Sequence, residues 1–194
     1  MDLLKQGLEA YQNSGSNNSA ENKENAHHGI DFESVIAMAK SEGGDHGSSQ
    51  HSFMEKAVGL LNNNKHELEG DINEEESVQA HDKVFGGGDK DSASPKEHGI
   101  AYAMSLYKKH FEGGSNQTNE SDSDLLGKVI HEATKLADEH LGGKSDDDKQ
   151  SAVDAAALQF GKLIVKSKLS GGGLGGLIGG GNSGGLSSLA SKFL

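Results

Sequence analysis

The sequence predicts an all-α protein: a small helical bundle of about six short helices, with a flexible N-terminal linker and a Gly-rich C-terminal tail. Three observations carry this. Apolar residues recur at steps of three and four along most of the chain, the spacing that gathers them on one face of a helix. The apolar segments open on Ser-x-x-acid arrangements and stop at glycines, as helices do. Strand formers are scarce, with two Thr, seven Val and seven Ile in 194 residues, and no sustained period-two alternation marks a sheet.

The chain divides into three parts. In the first, residues 1–29, Leu4, Leu8 and Tyr11 space a short amphipathic helix, marginal by itself at that length. Residues 13–29 follow as a disordered polar linker, because among them nothing apolar larger than Ala is present to be buried. The second part, 30–170, is the helical domain. Its first stripe is Phe32, Val35, Ile36 and Ala39, its second Met54, Val58 and Leu61, and a weaker third is Val78, His81 and Phe85. Ser94-Pro95-Lys96-Glu97 then supplies an N-cap hydroxyl, a Pro at the first helical position and a capping-box acid. It starts the helix of Ile100, Ala103, Met104, Tyr107 and Phe111. Ser121 with Asp124 opens the stripe Leu126, Val129, Ile130, Ala133 and Ala137. Ser145 with Asp148 opens Val153, Ala156, Phe160, Leu163 and Ile164. Gly43-Gly44, Gly86–Gly88, Gly113-Gly114, Gly142-Gly143 and Gly171–Gly173 stand at the stops, where a left-handed turn is expected. The third part, 171–194, has 10 Gly in 24 residues and ends in a short amphipathic helix.

Charge and composition narrow the function. The net charge is −12, and all 18 basic residues are Lys. Nucleic acid is not an expected partner, since phosphate binding needs clustered cations and base readout favours Arg. No Cys is present, which removes disulfides, thiolate metal clusters and thiol nucleophiles. The opening Met1-Asp2-Leu3-Leu4-Lys5 does not read as a secretory signal. No apolar run approaches the 18 residues of a membrane span. A cytoplasmic protein, with the nucleus as a second compartment, is the expectation.

No chemical motif outweighs its plain structural reading. Lys144-Ser145 follows Gly142-Gly143 like the end of a phosphate loop, but Asp138 stands where that motif needs its first Gly. Asp122, Asp124 and Gly127 imitate a calcium loop whose twelfth position is Ala133 rather than Glu. His131-Glu132 lacks the second His of a zinc-protease helix, Lys135 being there instead. The ten His, including His27-His28 in the linker, read as solvated or hydrogen-bonded side chains. No catalytic residue, cofactor or metal is therefore expected, and a small-molecule ligand is not either.

Two features remain. Ser94, Ser121, Ser123 and Ser145, beside Pro or Asp, suit proline- or acid-directed kinases. Leu186, Leu189, Ala190 and Phe193 form an i, i+3, i+4, i+7 stripe on a Gly tether. That stripe either docks back on the bundle, engages a protein partner or second copy, or stays free.

Phe85-Gly86-Gly87-Gly88 after an acidic, His-containing helix, the helix from Gln150 to Lys168, and the ending Gly185 to Leu194 resemble the fungal beta-flanking proteins, small fungal proteins of uncharacterised function. The resemblance covers roughly residues 30–194 and implies a cytoplasmic protein with no catalytic residues to carry over. The terminal stripe is also similar to Ser-x-Leu-Ala-Ser segments of a yeast Asn/Gln-rich prion protein, although the long Asn/Gln-rich region is missing here. The functional expectation is a non-enzymatic protein-interaction or self-associating module. Its rivals are a peripheral lipid-binding protein, a hydrated protein made under stress, and an enzyme whose site is assembled in three dimensions.

Overall fold

The computed structural model describes residues 26–42, 48–112 and 120–169. They form six α-helices and one two-stranded hairpin. Strands β1 (Ala26–His27) and β2 (Ile30–Asp31) pair antiparallel, His27 opposite Ile30. The helices are α1 (Phe32–Ser41), α2 (Ser48–Asn63), α3 (Glu74–Val84), α4 (Pro95–Glu112), α5 (Asp122–His140) and α6 (Asp146–Leu169). A short 3₁₀ turn, Lys65–Glu69, leads out of α2, and another, Lys90–Ser92, precedes α4. No described helix is long and apolar enough to cross a membrane.

The expected helix starts are present. Ser94 Oγ accepts from Glu97 N while Ser94 N donates to the Glu97 carboxylate at 2.7 Å. The same reciprocal pair joins Ser121 to Asp124 and Ser145 to Asp148. Each satisfies backbone donors that the first helical turn leaves unpaired. Asp31 and Asn73 cap α1 and α3 in the simpler way, each accepting one backbone N–H. The stops differ from expectation. Gly87 takes the left-handed conformation, φ +87°, but Gly142 and Gly143 do not, because Leu141 ends α5 and is itself buried against the core. Gly43-Gly44, Gly113-Gly114 and Gly171–Gly173 lie outside the described residues.

Helix α6 is the centre of the fold. Its predicted stripe is buried, but so are Ala152, Ala157, Gln159, Gly161, Val165 and Ser167, so α6 is enclosed on most sides rather than one. Helices α4 and α5 flank it, while α2 and the Lys65–Glu69 turn cover other faces. Helix α1 lies on α5, and α3 on α4. Small residues set these approaches. A Cβ at Gly99 of α4 would overlap the Ala152 carbonyl of α6 and come 2.6 Å from the Ala155 methyl. At Gly127 of α5 it would lie 2.6 Å from the Val35 carbonyl of α1.

Two sequence expectations are corrected. Helix α3 buries Ser77, Ala80 and Val84 rather than the stripe of Val78, His81 and Phe85. Phe85 falls one residue past the helix and remains 37% exposed. Small residues hid the true face, since Ser77 is held inside by a bond from Gln159 of α6. The hairpin is the second: residues 26–29, within the stretch that composition assigns to the linker, are ordered by the turn and by contacts to the domain described below. The expected helix of Leu4, Leu8 and Tyr11 lies outside the described residues.

Candidate functional site

Ring side chains converge where α3 ends, α4 begins and α5 ends. Phe85 sits 5.5 Å from His81, 5.7 Å from His140 and 6.2 Å from Tyr102, ring centre to ring centre. Beneath it, Tyr102 is 5.7 Å from His98 and 5.6 Å from His140. Tyr102 and His98 stand one turn apart on α4 and are both buried, a pairing present in the helical spacing but matching no metal or catalytic motif.

The hydrogen bonds fix how this cluster is protonated. His98 Nε2 lies 3.1 Å from the Lys90 carbonyl, which only accepts, so the proton sits on Nε2. The neutral ring then presents Nδ1 as an acceptor 3.2 Å from the Tyr102 hydroxyl, whose single proton is shared between it and the Leu136 carbonyl at 3.3 Å. Burial lowers the pKa of His98, His140 and His81, and burial with the Glu139 charge raises that of Tyr102. Neutral imidazoles beside a phenol that holds its proton pin three helix ends together.

A second group gathers at the opposite connection. His27 ends β1 and His28 opens the hairpin turn, and both Nε2 atoms face Oε1 of Glu69, at 3.4 and 2.9 Å. Among the described residues, this trio brings one potential ligand atom from each member within 4.8 Å of the others. Sequence reading missed it because Glu69 lies 41 residues beyond His28.

The four candidate serines fare differently. Ser94, Ser121 and Ser145 are exposed N-caps. Ser123 is buried, and its Oγ accepts from the Asp31 backbone at 2.8 Å, tying α5 to the hairpin. Leu186, Leu189, Ala190 and Phe193 lie outside the described residues.

Residues 31–115 match the profile of a domain of unknown function (DUF7721). That stretch runs from the N-cap of α1 through α4 and ends before α5 and α6. No curated protein and no solved structure matches the chain.

Proposed function

We propose that the chain is a non-enzymatic protein-interaction or self-associating module of the cytoplasm, with the nucleus as a second compartment. On this reading the helical bundle holds the apolar stripe of Leu186, Leu189, Ala190 and Phe193 on a glycine tether. The observation that carries the reading is Leu169. It ends α6, is 63% exposed, and stands in the sequence just before the Gly-rich segment that carries the stripe, so the bundle leaves a large apolar side chain uncovered at that end. The buried polar groups support it: Gln159 to Ser77 and Tyr102 to the Leu136 carbonyl are spent on joining helices, and Thr134 is satisfied within α5 by the Ile130 carbonyl. The resemblance to the fungal beta-flanking proteins belongs to the same reading, as it brings no catalytic residue.

The test removes residues 171–194. Sedimentation and co-purification of the intact and shortened chains should differ, with either a change of oligomeric state or loss of specific proteins from the shortened form. Identical behaviour of both chains would sink the proposal.

A further inference from the structure

We propose that His27, His28 and Glu69 form a binding site for a divalent first-row cation of the zinc type, fastening the N-terminal hairpin to the turn that follows α2. Neighbouring residues of a strand point to opposite faces, so an adjacent His pair ordinarily cannot serve one ion. Here the chain reverses immediately after His27. His28 adopts φ +50° and Gly29 φ +81°, and the two imidazoles swing together, ring centres 4.5 Å apart. Positive φ at both central residues is what a two-residue hairpin turn of the I′ kind requires, and His is among the non-Gly residues that adopt it. The φ of Gly29 favours glycine, and a Cβ there would also have to displace the flexible Nζ of Lys168.

The donor spacing suits a small ion. With zinc–nitrogen and zinc–oxygen bonds of about 2.0 Å, tetrahedral ligand atoms stand about 3.3 Å from one another. The two His–Glu separations, 2.9 and 3.4 Å, bracket that edge. Imidazole and carboxylate are ligands such a cation accepts, and three protein ligands leave one position open to water or to a group from another molecule. The surroundings orient the donors. The buried Nε2 of His27 has Glu69 Oε1 at 3.4 Å as its polar neighbour without hydrogen-bond geometry, so it keeps a lone pair for a ligand in that direction. Lys168 grips the His28 carbonyl at 2.9 Å and is itself paired with Asp122, so its charge is offset close to the site.

This site is independent of the tail, and its test separates the two. The full-length chain, stripped with chelator, is titrated with Zn²⁺ by calorimetry beside three variants. Asn tolerates the left-handed conformation, so His28→Asn preserves the turn, and Glu69→Gln preserves shape. His51→Asn removes an imidazole on α2 as the control. Wild type and the control should bind one ion alike. The other two should bind at least about tenfold more weakly, since the loss of even an outer-sphere partner of a ligand costs about 10- to 100-fold, with helical circular dichroism unchanged. Imidazole NMR signals of His27 and His28 should shift on zinc addition. Unaltered zinc affinity in either variant, or no saturable binding by wild type, overturns the site.

Discussion

Gln159 of α6 donates its amide to the Ser77 hydroxyl of α3 at 3.1 Å, and Ser77 passes its own proton to the Asn73 carbonyl at 2.7 Å. The chain of two bonds runs from the central helix to the N-cap of α3. Replacing Ser77 with Ala leaves a buried amide donor unpaired, a cost of about 1–3 kcal/mol. Urea unfolding should show that loss, and the double variant Ser77→Ala with Gln159→Leu should recover part of it.

Two glycines in helices should respond with opposite signs. Gly99→Ala forces α4 off α6 and should destabilise by about 1–3 kcal/mol through overpacking. Gly59 in α2 has nothing within 4 Å of a built Cβ, so Gly59→Ala should stabilise by about 0.5–1 kcal/mol through helix propensity. Denaturant midpoints of the pair against wild type decide this. A Gly99→Ala variant as stable as wild type would mean the helices are not in close contact there.

Acid should weaken the fold before the carboxylates titrate. The folded state holds His81, His98 and His140 neutral, so the unfolded chain binds more protons below about pH 6.5. The stabilising contribution is complete above that pH and is lost as pH falls through and below it. The unfolding midpoint should therefore drop between pH 7.5 and 5.5, and His140→Phe should flatten that slope. A midpoint that rises toward pH 5.5 would contradict the burial of these rings.

The capping box of α4 acts lower on the scale. The backbone and hydroxyl of Ser94 and the ammonium of Lys83 hold the Glu97 carboxyl down at about 2. Its stabilising contribution is present above the ordinary carboxylate range and disappears as pH falls from there toward 2. Ser94→Ala should cost about 1 kcal/mol at neutral pH, and the difference from wild type should shrink in acid.

Kinase access separates the serines by burial. An acid-directed kinase acting on the folded protein should mark Ser121 and Ser145 while sparing Ser123, whose hydroxyl is closed under the hairpin. Mass spectrometry before and after treatment in urea checks it. Native-state phosphate on Ser123 would show that the hairpin opens freely.

Local rules made the helices legible. Ser94, Ser121 and Ser145 cap through residues three positions away, so their role is written in a four-residue window. The stripe of α5 is equally plain, because Leu126, Val129, Ile130, Ala133 and Ala137 share one face and that face is buried. The inner face of α3 was not, since Ser77 and Ala80 carry little apolar area and are inside only because Gln159 and α4 meet them there. The enclosure of α6 escaped for a related reason. Ala152, Ala157 and Gly161 look like spacing between larger residues, yet all three are buried, Ala152 against the Gly99 backbone of α4 and Gly161 against the Leu68 side chain. His27, His28 and Glu69 depend on a reversal at one positive-φ residue and on a partner far along the chain, and neither leaves a periodic signal.

Placing the hub of the bundle at residues 146–169 has a consequence for biosynthesis. Helices α2 and α4 leave the ribosome with apolar faces that fit against a rod not yet made, and α1 with one that fits α5, so native assembly must wait for nearly the whole domain. The nascent protein should depend on holding chaperones until α6 emerges, and a stalled chain ending after α4 should be protease-sensitive where the released protein resists digestion.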